Sequence, residues 1–238
     1  SGIREDLWYA ISAAADRGFV GATVEYRLTD EKHPKMPCAA RYCFPAHYQD
    51  VRYAVSWLQA NADEFEIDPE GIGAYGKGAG GHLALMLGLV PEGHALDIDS
   101  TVDGYSGRVR AVVNAGGNSD LAGTIRMLEE TPERGLPVRL PEYYERFIGA
   151  PIEQKPFAYR QASPITYVDE TAVPVLTLIG KNSTWSPVEI AEEFDLRMRR
   201  AGVPHTLVVR SSVGHLKELL WNHEENYPVW SFFGEYLR

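Results

Sequence analysis

Residues 76–80 read Gly-Lys-Gly-Ala-Gly and stand between a short apolar run and a stretch with helical periodicity. A residue flanked by glycines at a sharp strand-to-helix turn is typical of a nucleophile elbow, where a side-chain oxygen or sulfur attacks a carbonyl carbon. The attacking position is occupied here by Gly78, which carries neither atom. The spacing therefore predicts the geometry of covalent catalysis without its nucleophile.

A second residue with relevant chemistry is His215, which follows the last apolar run of the chain. A histidine at a strand end can act as a general base, although a structural role is the alternative. His82, in the first turn after the glycine-rich segment, is better explained by a structural role. We interpret the remaining histidines as surface or packing residues: His33, His47, His94, His205 and His223.

Composition limits the partners that the protein can have. The chain has 238 residues, 45% of them hydrophobic, and a formal net charge of -10. A net negative charge argues against nucleic acid or an anionic membrane as a partner, because both require a cationic face. The longest apolar runs are strand-sized and fall well short of the about 20 residues that a membrane helix needs. We expect a small molecule as the partner.

The elements that would position these residues alternate along the chain. Apolar runs of strand length alternate with amphipathic stretches, which predicts a mostly parallel sheet with helices on both faces, the α/β class. The predicted strands are residues 19–26, 71–75, 109–115, 173–179 and 205–210.

One domain over residues 1–238 is expected, because the sequence shows no repeat, low-complexity tract or linker. Ligands of open parallel sheets bind beyond the carboxyl ends of the strands. The irregular and helical residues 119–167, rich in proline and aromatic side chains, are long enough to form a small cap over such a site.

Six stretches together resemble one family. They are residues 17–28, 45–58, 68–73, 80–84, 174–180 and 214–215. In this order they resemble the acetylesterase and feruloyl-esterase-like (BD-FAE) branch of the α/β-hydrolases, which is related to the hormone-sensitive-lipase group. The resemblance covers nearly the whole chain and implies an α/β-hydrolase fold and a carboxylic-ester hydrolase ancestry.

Carried over residue by residue, the resemblance implies a degenerate catalytic triad. The family's serine falls on Gly78, its acid falls on Ser183 and its histidine falls on His215. The backbone N–H of Ala79 would remain as an oxyanion donor. Without a nucleophile there is nothing for a base to activate, and without a carboxylate His215 lacks its usual partner.

The resemblance also implies that the family's N-terminal strands and an oxyanion loop would lie before Ser1. One of those strands would stand between residues 19–26 and residues 71–75, and a gap there would leave two rows of backbone groups unpaired. We therefore expect either that the chain is a fragment or that its strands close up. Association with a missing N-terminal segment or with a second copy is the partner that this expectation implies.

Six further residues have two interpretations each. Asp120 is an alternative acid for a histidine, but a helix N-cap explains it better. Trp185 and Trp221 flank the Ser183 and His215 segments and are candidates for the wall of a substrate pocket, or for the core. Aromatic residues at helical spacing form either the inner face of the cap or its packing: Tyr143, Tyr144 and Phe147.

Three functions follow from these residues. The first is a pseudoenzyme that binds a ligand without hydrolysing it, since two triad positions are changed. The second is a hydrolase of short acyl or aryl esters in an altered or incomplete chain, and the third is non-serine chemistry with His215 as base.

No cofactor or metal is implied, because the sequence has neither a ligand cluster nor a dinucleotide loop. Cys38 and Cys43 are either disulfide-bonded or free, so the compartment, cytoplasmic or exported, stays open.

Overall fold

The computed structural model describes residues 8–29, 42–98, 100–131, 139–183, 185–211 and 227–238. The strands in these ranges are β1 (Gly73–Lys77), β2 (Ala111–Ala115), β3 (Val175–Gly180) and β4 (His205–Arg210). The helices are α1 (Trp8–Ala15), α2 (Ala46–Ala60), α3 (Ala79–Leu89), α4 (Leu121–Glu130), α5 (Leu140–Ile148), α6 (Pro156–Gln161), α7 (Val188–Arg200) and α8 (Tyr227–Tyr236). Two short 3-10 helices cover Ala95–Asp97 and Pro164–Tyr167.

The four strands form one parallel sheet in the order β1-β2-β3-β4. Every residue of β2 and β3 is buried, which explains why these strands are continuous apolar runs rather than alternating ones. Side chains of α2, α3 and α7 cover one face of the sheet, and those of α8 cover the other. The predicted α/β class with helices on both faces is confirmed.

The predicted strand at residues 19–26 does not form. Its side chains still divide between the two faces of the sheet: Phe19 packs with the cluster on the α8 side, whereas Val24 and Tyr26 pack with the opposite cluster. A strand is stabilised by hydrogen bonds to a neighbour, and among the described residues β1 pairs only with β2. The prediction is wrong because the sequence pattern records burial and not the pairing partner. The expectation that the strands close up is also wrong.

Residues near 27 are tied to α2 by one ion pair. The guanidinium of Arg27 lies 2.7 Å from a carboxylate oxygen of Asp50, and the backbone N–H of Arg27 donates to the same carboxylate at 2.8 Å. Two of the stretches that carry the family resemblance therefore meet in space. Both side chains retain some exposure, so the contact orients the segment more than it stabilises the fold.

The helical insertion between β2 and β3 has a small core of its own. Leu121, Ile125, Ile148 and Tyr159 are buried together in it. Its two ends are joined near the sheet, where the N–H of Ile165 donates to the carbonyl of Ser119 at 2.9 Å. The described residues of 119–167 thus pack together at the carboxyl end of β2, and their role as a cap stays a prediction.

Near the start of α2, Cys43 is disulfide-bonded, while Cys38 lies outside the described residues.

Within the described ranges every helix is too short or too polar to span a bilayer.

A buried charged pair joins α2 to the segment after α3. Arg52 is fully buried, and its guanidinium contacts the Asp97 carboxylate at 3.1 Å. The hydroxyl of Tyr48 donates to the other Asp97 oxygen at 2.6 Å. Because a charge in the interior is costly unless it is paired, Asp97 is needed to keep Arg52 inside.

We expect Asp97→Ala to lower the free energy of unfolding by about 3–5 kcal/mol, because it leaves the Arg52 charge buried and unpaired. The matched control is Glu193→Ala, which removes the exposed carboxylate of the Arg197–Glu193 pair on α7. That change should cost less than about 1 kcal/mol. Urea unfolding monitored by circular dichroism measures both values. Equal losses for the two variants would contradict this role for Asp97.

Candidate functional site

The turn from β1 into α3 has the geometry of a nucleophile elbow. Gly78 alone separates the strand from the helix, and its backbone angles are φ 54° and ψ -118°. Any residue except glycine is strained at these backbone angles. The residue that carries the nucleophile in a nucleophile elbow adopts a strained backbone of this kind. The N–H of Gly78 donates to the carbonyl of Ala115 on β2 at 2.9 Å. The turn is therefore fixed to the neighbouring strand.

Glycines allow this turn to pack closely. A Cβ at Gly76 would lie 2.1 Å from the carbonyl oxygen of Gly80, and one at Gly81 would lie 2.5 Å from the amide oxygen of Asn114. A Cβ at Gly80 would meet no described atom within 4 Å. Of the two glycines that flank the elbow position, Gly76 is thus required by its surroundings, whereas Gly80 is not.

The amino end of α3 presents an N–H group to the elbow. Ala79 is the first residue of the helix, so its N–H has no acceptor within the helix. The positive end of the helix dipole adds to its attraction for an anion. The structure thus places the N–H of Ala79 next to position 78, and its role as an oxyanion donor stays a prediction.

The loop after β2 packs directly on the first turn of α3. A Cβ at Gly117 would lie 2.3 Å from the backbone nitrogen of His82. The next residue, Asn118, uses its side chain fully: its amide oxygen accepts from the N–H of Asp120 at 2.8 Å, and its NH2 group donates to Thr124 and Tyr144. Sequence reasoning did not select Asn118, and a lone asparagine after a strand gives no signal of such a network.

Asp120 is the N-cap of α4. Its carboxylate accepts a hydrogen bond from the N–H of Gly123 at 2.8 Å. This is the structural role that the sequence favoured over an alternative catalytic acid.

His82 is a buried neutral imidazole behind the elbow. Its Nδ1 lies 2.9 Å from the carbonyl oxygen of Asn118. Because a carbonyl can only accept, Nδ1 carries the proton and Nε2 carries a lone pair. Burial lowers the pKa of His82 to about 4, although the bond to Asn118 acts in the opposite direction.

His47 on α2 has a similar environment and also contacts Phe147. The ring centroid of Phe147 lies 5.1 Å from that of His47 and 5.6 Å from that of His82. Burial lowers the pKa of His47 to about 4 as well, while the Asp50 carboxylate acts in the opposite direction. Phe147, in the last turn of α5, therefore contacts two uncharged imidazoles. This contact fixes the helical insertion to α2 and α3.

Ser183, at the position of the family's acid, is a buried serine in the loop after β3. Its hydroxyl accepts a hydrogen bond from the N–H of Ser186 at 3.3 Å, and the Ser186 hydroxyl donates to the carbonyl of Gly117 at 3.5 Å. The loop is thus fixed beside the elbow without a carboxylate. His215 and Trp221 lie outside the described residues, so their predicted roles remain predictions.

Trp185 in the same loop contacts the helical insertion. Its ring lies 5.3 Å from the ring of Tyr143 on α5, at an interplanar angle of 58°. Tyr144, the neighbour of Tyr143, is anchored through its hydroxyl to Asn118 at 2.7 Å. The structure therefore brings Trp185 together with Tyr143, one of the three aromatic residues of α5 that the sequence singled out.

A carboxylate, a histidine and a hydroxyl also meet elsewhere in the sheet. Nδ1 of His205 lies 2.7 Å from Asp195, and its Nε2 lies 3.0 Å from the hydroxyl of Thr177. His205 is the first residue of β4 and pairs with Val175, the first residue of β3. These groups therefore lie at the amino end of the sheet, away from the elbow. Thr177 is buried, so we assign this arrangement to packing.

In the parts of the chain that the structure describes, no three His, Cys, Asp or Glu side chains come together to hold a metal ion.

Comparison with known sequences identifies the family. The sequence model of the BD-FAE family matches residues 4–198. The chain belongs to the BD-FAE family. Esterase LipC of Mycobacterium tuberculosis (strain ATCC 25618 / H37Rv) is 32% identical over 218 residues, which cover 91% of this BD-FAE chain and 48% of that protein. The chain spans about half the length of the curated relatives it matches.

Solved structures agree with this fold for the BD-FAE chain. A propionate-bound esterase, Est2, of the Planctomycetes species Thermogutta terrifontis superposes with a TM-score of 0.72 at 20% identity, covering 99% of this chain and 76% of that one. A truncated carbohydrate esterase from gut microbiota gives a TM-score of 0.74 at 23% identity, covering 94% and 77%. The α/β-hydrolase resemblance predicted from the motifs is confirmed.

Acid should destabilise the protein through His47 and His82. Their pKa values of about 4 lie below the value of about 6.5 for an unfolded histidine. The unfolded chain therefore binds more protons between these limits, and stability falls as the pH is lowered from about 6.5 to about 4. Each histidine should contribute a loss of about 3 kcal/mol across this window.

Urea unfolding at a series of pH values tests this expectation. The His82→Gln variant should lose about 2 kcal/mol less than the natural chain between pH 6.5 and pH 4.5, because glutamine takes up no proton. An unchanged dependence on pH in both His82→Gln and His47→Gln would show that these imidazoles are not the acid-sensitive groups.

Proposed function

We propose that this chain is a carboxylic-ester hydrolase domain for short acyl or aryl esters in an altered form, in which glycine occupies the nucleophile position and a serine at position 78 is required for hydrolysis. The observation that carries the proposal is the backbone of Gly78, which holds the φ and ψ of a nucleophile position between β1 and α3. Membership of the BD-FAE family and the likeness to esterases support the same reaction class.

The site holds only some of the groups that ester hydrolysis needs. In acyl transfer, a serine oxygen at position 78 would attack the ester carbon while a histidine removes its proton, and the resemblance assigns that histidine to His215. The N–H of Ala79 would donate to the oxyanion that forms. The protonated histidine would then donate its proton to the alcohol as the ester C–O bond breaks, which leaves an acyl-enzyme. Water would attack the acyl-enzyme with the same histidine as base, releasing the acid and restoring the serine hydroxyl. With Gly78 the first bond cannot form, so a bound ester stays intact.

The second candidate function is ligand binding without hydrolysis. Gly78 and Ser183 favour it, because two independent triad positions lack the group that the reaction needs. The two functions share one binding site beside the elbow, and they differ in whether a serine at position 78 is sufficient to start turnover.

We expect Gly78→Ser to hydrolyse p-nitrophenyl acetate about 10²-fold faster than Gly78→Ala. Loss of a whole triad lowers the rate about 10⁶-fold, and loss of its acid alone lowers it about 10⁴-fold. A serine and a histidine without the acid should therefore still be about 10²-fold faster than a site that lacks the triad. Both variants place a Cβ at a positive φ and bear the same strain, on the order of 1–3 kcal/mol. The release of p-nitrophenolate at equal enzyme concentration measures the difference.

Two controls decide between the candidate functions. Adding His215→Ala to Gly78→Ser should abolish the gain, since the serine then lacks its base. Equal rates for Gly78→Ser and Gly78→Ala, with both variants folded, would refute the hydrolase proposal and leave the binding function. Turnover by the natural chain that is lost in His215→Ala would instead refute the dependence on residue 78.

A further inference from the structure

We propose that Asn114 is a positioning residue for the elbow: its side-chain amide holds the exit of β2 against the first turn of α3 and so fixes the backbone at position 78. This inference rests on the proposed function, because the turn that it concerns is the one that a serine nucleophile would occupy. The role is indirect, since Asn114 acts through the backbone of the turn and takes no part in making or breaking bonds.

Asn114 is a polar residue in a strand that is otherwise apolar. The other residues of β2 are Ala111, Val112, Val113 and Ala115, and Asn114 itself is only 1% exposed. Burying an amide is costly unless its donor and its acceptor both find partners, whereas an apolar side chain carries no such cost. The partners of the amide therefore indicate what this residue does.

The Asn114 amide binds one residue twice. Its oxygen accepts a hydrogen bond from the N–H of Gly117 at 2.8 Å, and its NH2 group donates to the carbonyl of the same residue at 3.1 Å. The Gly117 carbonyl also accepts from the hydroxyl of Ser186, in the loop after β3, at 3.5 Å. Two hydrogen bonds to one residue restrict both the position and the orientation of its backbone. Asn114 thus fixes the loop that leaves β2.

The amide and this loop lie directly against the first turn of α3. A Cβ at Gly81 would lie 2.5 Å from the amide oxygen of Asn114 and 3.1 Å from the backbone nitrogen of Gly117. Asn114 is also the direct partner of Gly76 in the β1–β2 register. Its neighbours therefore include a glycine before position 78 and a glycine after it. Because close-packed atoms leave little room to yield, a shift of the loop is transmitted to the turn.

These contacts matter for the chemistry because nucleophilic attack tolerates little displacement. A misplacement of about 1 Å can lower a rate about 10²-fold. The oxygen of a serine at position 78 and the N–H of Ala79 are both placed by the backbone of this turn. Loss of the Asn114 contacts should therefore displace both groups, and its kinetic signature is a lower kcat with little change in KM.

Hydrogen exchange of the Gly78 amide tests the positioning in the natural chain, without any need for turnover. This N–H donates to the carbonyl of Ala115, so it exchanges with solvent when the turn opens. Asn114→Leu removes both hydrogen bonds and keeps a side chain of similar size. It should raise the exchange rate of the Gly78 amide, normalised to that of the Val112 amide in the same strand, at least about tenfold. Asn114→Ser also loses the two-point contact, and it should act in the same direction if the leucine variant does not fold.

The matched control is Gln59→Leu, which acts at the other end of the same strand. The Gln59 amide is also buried: its oxygen accepts from the N–H of Gly107 at 2.9 Å, and its NH2 group donates to the carbonyl of Arg108 at 3.2 Å, just before β2 begins. Gln59→Leu therefore removes buried amide hydrogen bonds of the same kind, far from the elbow. It should leave the normalised exchange rate of the Gly78 amide within about twofold of the natural value.

Kinetics in the Gly78→Ser background test the consequence for the reaction. Adding Asn114→Leu should lower kcat for p-nitrophenyl acetate about tenfold and leave KM within about twofold. Adding Gln59→Leu should leave both constants within about twofold. The comparison separates a positioning role from a general loss of stability, which the two variants share. Circular dichroism confirms that each variant is folded.

An exchange rate of the Gly78 amide that is unchanged in Asn114→Leu, or raised equally in Gln59→Leu, would overturn the positioning role while the proposed function stands. A higher KM with an unchanged kcat would overturn it as well, since Asn114 would then act on binding. If Gly78→Ser is inactive although Asn114→Leu raises the exchange rate as expected, the proposed function is overturned and Asn114 remains the residue that fixes the turn.

Discussion

The close packing of the β1–α3 turn against the exit of β2 is the constraint on which the candidate site depends. The N–H of Gly78 donates a hydrogen bond to the carbonyl of Ala115. A Cβ at Gly81 would collide with Asn114, and a Cβ at Gly117 would collide with the backbone of the first turn of α3. Backbone lies against backbone, so small displacements are opposed by steric contact and not by flexible side chains. The first N–H of α3 is held in place by the same contacts.

Everything else at this edge of the sheet is attached to that turn. The loop after β2 supplies Asn118, which orients His82, caps the segment leading to α4 and fixes α5 through Tyr144. The loop after β3 is attached through Ser186. Glycine at position 78 preserves this arrangement without the strain of a side chain at positive φ, and it removes the nucleophile at the same time. The scaffold and the chemistry are therefore separable in this chain.

The sequence predicted the elements whose burial pattern is local. β4 was predicted to the residue, and β1 begins two residues later than predicted because Asp68 holds Glu70 and Gly71 in a turn. The strand at residues 19–26 was wrong, since pairing depends on a neighbour that no local pattern records.

Within the site, the elbow and the N-cap at Asp120 could be predicted because each has a sequence signature. The networks of Asn118 and Phe147 could not, because their partners are brought together only by the fold. The burial that makes His47 and His82 neutral also has no signature in the sequence, where they look like the other histidines.

The proposed function requires the turn at Gly78 to be a nucleophile elbow that lacks only its side chain. Intact-protein mass spectrometry after exposure to paraoxon, which phosphorylates activated serine hydroxyls, tests this most directly. The Gly78→Ser variant should gain one diethylphosphoryl group, mapped to residue 78 by peptide analysis, and the natural chain should gain none there. An unlabelled residue 78 in a folded Gly78→Ser variant would contradict the account.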